Sequence, residues 1–387
     1  MSAQPGRAEG LRSHRDNGRS AAGGRCAQAG ASRRAAPPSG LTSDERRRSE
    51  ERGGKTAGSS GPEASEGQKE SGKTAGPSGP EASEGRIRQR SFAPGSEWLY
   101  LKLFAGPATA DLALLRAAPV LAGALAAGAA DRWFFIRYGD PDWHLRLRVH
   151  GEPGRLLSEV LPQLHQVLAP LAGPGQLWRM QLDTYERETE RYGGDAGIGL
   201  AEQVFHADSE AALAIAGLLR GDAAAALRWQ VALRGIDLLF DDLGLTMTRK
   251  RELARRARAG YEREFGTGAA FQRAVSQRFR QQRASLEALL DPRLDPPAGL
   301  AGSFQALHRR SAALAPAAGQ IRALAAAGQL SQDLPELAMS LAHMHVNRVL
   351  RTAPRAQELV LYEMLDRLYG SQAARAAQPP TAREAGR

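Results

Sequence analysis

The chain has 387 residues, 42% of them hydrophobic and 24% charged, with 42 Gly, 22 Pro and a formal net charge of +10. That is roughly two to three domains' worth of chain, and its single cysteine, Cys26, excludes a disulfide framework or a thiolate metal site within one chain. A reducing, cytoplasmic compartment is expected: no run of about 18 apolar residues marks a membrane span, and the N-terminus has no apolar secretory core.

The aromatic residues divide the sequence. Residues 1–95 hold one, Phe92, of the 22 Phe, Trp and Tyr present, too few to bury a core, so this segment is expected to be a disordered tail. It carries an internal duplication, GKTAGSSGPEASEG at 54–67 and GKTAGPSGPEASEG at 72–85. Neither copy has apolar residues for stacking; the pair reads as a duplicated linker, or as a docking tail that folds on a partner. The GKT triplets lack the upstream glycine of a phosphate loop. The tail has 17 basic and 11 acidic residues, the remainder 35 and 31. A nearly balanced folded part argues for arginines placed locally, in a pocket or groove, rather than for a polyanion-binding face. The tail also lacks the aromatic interleaving of single-strand binders, so no direct nucleic-acid binding is expected.

Order is expected from Ser96. Trp98–Phe104 (WLYLKLF) reads as a strand and Asp111–Ala127 as a helix, with Thr109 or Asp111 as N-cap. Arg132–Tyr138 reads as a second strand and Gly139–Trp143 (GDPDW) as a turn. His144–Val149 (HLRLRV) alternates with period two, the mark of a half-buried strand. Pro153–Leu171 reads as a helix and Gln176–Tyr185 as a fourth strand. The order β-α-β-β-α-β is the split βαβ arrangement, a four-stranded antiparallel sheet with helices on one side. From Leu200 the pattern is helical: Leu200–Arg220, Ala223–Leu243, Arg249–Phe265, Ala269–Leu290, Ala301–Ala327, Leu334–Leu350 and Arg355–Leu368. The expected class is α+β, with a sheet part at 96–195, a large helical region at 196–370 and a disordered tail at 371–387.

Three clusters could carry chemistry. Alternation in the third strand puts His144, Arg146 and Arg148 on one face, with neighbours roughly 6–7 Å apart. Two guanidiniums that close repel. The face is either solvated surface or an anion site, for which the arginine fork is suited. The second cluster, DTYERETERYGG, runs from Asp183 to Gly194. Glu188 and Arg191 are neighbours if this is a helical turn, and Gly193-Gly194 lets the backbone turn sharply. Tyr185 and Tyr192 among paired charges point to a partly buried polar network; a charged surface loop is the plain alternative. The third cluster is HMHVNR, 343–348, inside an apolar helix, where His343 and Asn347 share one face and His345 and Arg348 another. Histidines two apart do not make the pair four apart that zinc wants, so no metal is expected. Imidazole suits acid–base work near neutral pH, although a satisfied core histidine is the commoner outcome.

WLYLKLF, WFFIRYGDPDWHLRLR, DTYERETERYGG followed by AEQVF, and HMHVNR resemble, in order and approximate spacing, the C-terminal domain of class I lanthipeptide dehydratases. That domain also occurs alone, as a split dehydratase subunit in thiopeptide and related biosynthesis. The resemblance covers about Glu97 to Tyr369. It implies elimination of glutamate from glutamylated Ser and Thr of a precursor peptide, leaving dehydroalanine or dehydrobutyrine. It further implies that Arg146 and Arg148 hold carboxylate and developing charge, that Glu188 orients the arginines, and that Arg191 meets the leaving group or the enolate. His343 is the implied proton-transfer group, ahead of His345, and His144, Tyr185, Tyr192, His345, Asn347 and Arg348 are the expected substrate-binding surroundings. No metal or organic cofactor is required. The implied partners are the precursor peptide and a separate glutamyl-tRNA-dependent glutamylating subunit, with a homodimer left open. Two alternatives stand beside this reading. One is a pyridine-forming [4+2] cyclase of the same fold, whose members tend to depart from the Arg/Glu/Arg/His set. The other is a non-catalytic module that binds the precursor peptide.

Overall fold

The computed structural model describes residues 89–352 and 354–376. The duplication, Cys26 and the outer parts of both expected tails lie outside the described residues. Four strands build the main sheet: β2 (Trp98–Phe104), β3 (Ala130–Tyr138), β4 (His144–Gly151) and β5 (Arg179–Leu182). Their spatial order is β3-β4-β2-β5 with every pair antiparallel, as the split βαβ arrangement requires. Register rows alternate in character. Leu101, Leu147 and Phe135 lie side by side, as do Leu99, Val149 and Trp133, and all six are buried. The intervening rows, Tyr100–Arg148–Phe134 and Lys102–Arg146–Ile136, project to the other face because successive strand residues point opposite ways.

Helix α1 (Pro107–Ala126) and a helical run α2 pack with the sheet and with each other. The run α2 comprises Pro153–Arg155, a wider turn at Leu156–Val160 and Leu161–Leu168. Ala110, Ala113, Leu114, Ala117 and Leu121 form the buried stripe of α1, at the spacing of one helix face. Among the described residues, α1 is the one helix long and apolar enough to cross a membrane, with a mean hydropathy of 1.4; here that apolar stripe is part of the core. Its start differs from expectation. Gly106 is the N-cap, with Pro107 in the first turn, and Asp111 lies inside the helix, buried and bound to arginines.

Two strand boundaries also differ. The expected fourth strand is two pieces. After β5 the chain breaks at Asp183, whose side chain accepts from Thr184 N and pairs with Lys102. It then forms a two-residue strand, β6 (Tyr185–Glu186), which pairs with β1 (Ser91–Phe92) in a separate small sheet. The expected tail therefore ends earlier than residue 95: Phe92 is 1% exposed and stacks on Tyr185. One aromatic side chain, isolated in a polar stretch, is enough to seat this strand.

The remainder is helical: α3 (Gly194–Leu218), α4 (Gly221–Ala225), α5 (Arg228–Asp242), α6 (Met247–Phe265), α7 (Ala269–Leu290), α8 (Ala301–Ala326), α9 (Leu334–Val349) and α10 (Pro354–Ala376). α10 runs six residues into the expected C-terminal tail. α8 lies along α3, and α10 along α6. Side chains from α3 and α9 meet the free edge of β3. His206 Nδ1 meets the Trp133 backbone, 3.0 Å from its O and 3.3 Å from its N, and Ser209 Oγ accepts from the Phe135 amide. Asn347 Oδ1 accepts from Arg137 N at 2.8 Å, its amide nitrogen donates to Arg137 O at 2.8 Å, and Arg348 Nε donates to Phe135 O. An edge strand otherwise presents unpaired backbone groups; here helical side chains replace a fifth strand.

Candidate active site

A cavity of about 530 Å³ opens where the sheet meets α6, α9 and α10. It brings together Arg146 from β4, Glu188 and Arg191 from the charged turn, and His343 from α9. These groups are more than 40 residues apart at the least and nearly 200 at the most across the three elements; the split sheet and the helices covering its edge make them neighbours.

Strand alternation places His144, Arg146 and Arg148 on one face, as expected. Aromatic rings rather than carboxylates pack against the two guanidiniums. Arg146 lies over the Tyr138 ring at 3.4 Å, and Arg148 lies 4.5 Å from the rings of both Tyr100 and Tyr185. Such contacts stabilise by about 0.5–2 kcal/mol each. Arg148 is 6% exposed and its Nε has no partner among the described residues; burial lowers its pKa. It therefore stands behind Arg146 rather than in the cavity lining. His144 Nδ1 meets Asp142 O at 2.8 Å, and its Nε2 accepts from Arg146 Nε at 3.2 Å. Both contacts require the neutral Nδ1–H tautomer. Burial and the cations Arg146, Lys102 and Arg179 hold this imidazole below its ordinary 6.5. His144 is thus a support for the Arg146 guanidinium.

The turn after β6 is a short helical turn, Glu190–Tyr192, in which Arg191 Nη1 donates to Glu188 Oε2 at 3.1 Å. Gly193 ends it at φ +87° and Gly194 follows at +75°, a conformation that favours glycine. The loop before α9 holds the turn in place: Ser331 Oγ donates to Glu190 O at 3.2 Å and Gln332 Nε2 to Arg191 O. Tyr185 and Tyr192 are buried beneath, not on the cavity wall. Tyr185 donates to Glu202 Oε1 at 3.0 Å, and burial with Glu202 pushes its phenol well up. Tyr192 packs edge-on against Phe205, and burial raises its hydroxyl to about 12. These two expected substrate-binding residues are parts of the packing that carries the turn.

The helix motif divides. His343 lines the cavity, and its Nδ1 lies 2.9 and 3.0 Å from the two carboxylate oxygens of Glu358 on α10. Glu358 is fully buried and also accepts from Tyr261 OH at 2.8 Å. A carboxylate on Nδ1 fixes the tautomer and leaves Nε2 as the basic nitrogen; Nε2 makes no hydrogen bond among the described residues. His345 points the other way. It is 1% exposed, with Nδ1 2.6 Å from Asp208. Arg310 and Arg348 also donate to Asp208, at 3.1 and 3.0 Å. Burial alone would raise the Asp208 carboxyl, yet His345, Arg348 and Arg310 hold it far below the carboxylate range. Gly235 makes room for this imidazole: a Cβ there would lie 2.0 Å from His345 Nε2. His345 and Arg348 are therefore core groups, contrary to the expectation that they bind substrate. Asn347 lines the cavity but is committed to the edge of β3.

The sequence reading missed Glu358, Arg137, Arg351 and the Arg355–Glu264 pair, of which all but Glu358 line the cavity. The signal for Glu358 was an acid, with Glu363 five residues on, in the otherwise apolar run ELVLYEML; the packing of α10 beside α9 explains it. Among the described residues no cluster of three or more His, Cys, Asp or Glu could hold a metal ion.

Fold and cavity together define an α+β scaffold with a basic, acid–base-equipped cleft. The chain belongs to the lantibiotic biosynthesis dehydratase C-terminal family, whose model matches residues 98–369. It is 33% identical over 117 residues to the subtilin biosynthesis protein SpaB of Bacillus subtilis, covering 30% of this chain and 11% of SpaB. It is 31% identical over 124 residues to the nisin biosynthesis protein NisB of Lactococcus lactis subsp. lactis, covering 32% of this chain and 12% of NisB. The matched stretches are thus about a tenth of those proteins' length. Among solved structures, the tRNA-dependent lantibiotic dehydratase MibB from Microbispora sp. 107891 superposes with a TM-score of 0.59 at 24% identity, over 79% of this chain and 29% of MibB. The pyridine synthase TbtD from thiomuracin biosynthesis superposes with a TM-score of 0.53 at 16% identity, over 71% of this chain and all of TbtD. Both likenesses are of fold.

Proposed function

We propose that the protein eliminates glutamate from glutamylated Ser and Thr residues of a precursor peptide in the biosynthesis of a ribosomally made, modified peptide. The observation that carries this reading is the His343–Glu358 pair, which turns a basic nitrogen to a cavity that also holds Arg146 and the Glu188–Arg191 pair. β-Elimination needs a base for the α-proton, positive charge for the enolate-like oxygen, and help for a departing carboxylate. His343 Nε2 takes the α-proton, and the Cα–H electron pair becomes the Cα=Cβ bond. The Cβ–O bond breaks and glutamate leaves as a carboxylate. Glu358 stabilises the imidazolium that forms, as a buried carboxylate does in other acid–base pairs. Arg146, with Arg148 behind it, faces the developing negative charge, where fixed cations act strongly because little solvent has to reorganise. Glu188 sets the direction of Arg191. The glutamylated substrate comes from a separate glutamyl-tRNA-dependent subunit, which acts on the same peptide first.

Incubation with a glutamylated precursor, followed by mass spectrometry, tests the reading. Loss of one glutamic acid per modified residue, leaving the dehydro amino acid, is expected. No loss from a verified substrate would overturn it, and turnover only of an already dehydrated linear peptide would assign the cycloaddition instead.

A further inference from the structure

The cavity continues past the end of β3 to a second group of arginines that the elimination chemistry above does not use. Asp111 on α1 is the only carboxylate at their centre among the described residues. Arg137 Nη2 lies 2.5 Å from it, Arg228 Nη2 2.8 Å and Arg351 Nε 3.7 Å. Asp222 reaches Arg351 at 3.3 Å but is fully exposed, so solvent screens it. Three guanidiniums around one buried carboxylate leave a surplus of positive charge. Buried charges are costly unless compensated, and two donors here, Arg137 Nη1 and Arg228 Nε, are buried without a partner among the described residues.

This surplus borders open space. Arg137 and Arg351 both line the cavity that holds His343. Arg351 also lines a second cavity of about 480 Å³ on its other side. Its side chain is 18% exposed, so it can meet a ligand directly, while Arg137 adds charge from behind. The first residues of α10, Pro354 to Ala356, line the same wall, and a helix N-terminus carries partial positive charge. Arg351 lies just past the end of α9, eight residues after His343.

We infer that Arg351, backed by Arg137 and the start of α10, is an anion subsite that selects the glutamyl group by its free carboxylate. This inference rests on the elimination reading. A glutamyl ester has one carboxyl esterified and one free. The esterified end must lie by His343, and the free end then needs a cation set apart from Arg146 and Arg191. Apart from Arg146 and Arg191, the cations on this wall among the described residues are Arg355, which Glu264 pairs, and the Arg137–Arg351 group, in which three guanidiniums share Asp111 and the solvent-screened Asp222. A site built for a carboxylate rejects an uncharged isostere, because its own polar groups are then left unpaired.

The test uses the full chain and two peptides, one glutamylated and one carrying the matching ester with its free carboxylate replaced by carboxamide. Binding by fluorescence anisotropy and elimination by mass spectrometry are followed for wild type, Arg351→Gln and Arg351→Lys. Wild type should prefer the glutamyl peptide by roughly 10–100-fold in kcat/KM and in affinity. Arg351→Gln should shrink that preference toward parity, chiefly through KM, and Arg351→Lys should restore part of it. An undiminished preference in Arg351→Gln overturns the inference, as does a wild type indifferent to the carboxamide. If wild type eliminates neither ester, the elimination reading fails. In that case, binding that favours the glutamyl peptide and loses the preference in Arg351→Gln still supports the subsite, and equal binding of both peptides overturns it too.

Discussion

The β4 motif HLRLR and the α9 motif HMHVNR each offer a histidine and an arginine, yet the fold treats them differently. On the strand, period two keeps His144, Arg146 and Arg148 on one face, and the gradient is one of depth: Arg146 lines the cavity, Arg148 lies under aromatic rings, and His144 braces Arg146. On the helix, residues two apart point in unlike directions. His343 reaches the cavity, while His345 and Arg348 turn inward to Asp208. Each motif thus sends one group to the cavity, Arg146 or His343, and keeps the others in the packing. Backbone period, rather than residue type, decides which.

The largest expected effect falls on the scaffold half. Arg348→Ala takes away the Asp208 Oδ2 ion pair, leaving that carboxylate to His345 and Arg310, and strips Phe135 O of its side-chain donor; breaking a buried pair costs about 3–5 kcal/mol. A large drop in the denaturant midpoint is expected, with activity lost only as far as folding is lost. A midpoint like that of wild type would place Arg348 outside the core account.

Substitutions in the cavity half should do the opposite. Arg146→Ala should slow elimination roughly 10²–10³-fold, the range for removing one charge-stabilising donor, with glutamylated peptide accumulating and little change in stability. Glu358→Gln should slow it less, roughly 10–100-fold by analogy with partners that orient functional histidines. Its signature is an altered pH–rate profile, since the amide no longer stabilises imidazolium; an unchanged profile would separate Glu358 from proton transfer.

The smallest effect concerns pH. The fold holds His144 and His345 below 6.5, both chiefly through burial. Below that pH the unfolded chain binds protons that the folded chain does not, so stability is full above about 6.5 and falls as pH drops. His345→Gln should flatten part of this slope. Denaturant midpoints at about pH 7.5 and 5.5 measure it, and a midpoint that rises on acidification contradicts it.

Much of this was legible in the sequence because it is periodic. β2, the turn at Gly139–Trp143, the span of α2 and most helices follow from alternation, turn residues and apolar stripes, and so does the shared face of the two strand arginines. What the sequence hid depends on long-range pairing. Seating β1 requires Tyr185, 93 residues away from Phe92. The break between β5 and β6 turns on the Asp183–Lys102 pair. The inward turn of His345 is set by Asp208, 137 residues earlier. Glu358 and the Asp111 arginines became visible only when α10 and α1 were packed against their neighbours.

The contrast between the two histidines is also the most direct test. His343→Ala and His345→Ala should be compared on one glutamylated peptide, with folded fraction measured on the same samples. The account predicts that folded His343→Ala leaves the ester intact, slowed about 10²–10⁴-fold, while His345→Ala is less stable but turns over in proportion to its folded fraction. A stable His345→Ala that no longer eliminates, beside a His343→Ala that matches wild type, would contradict it.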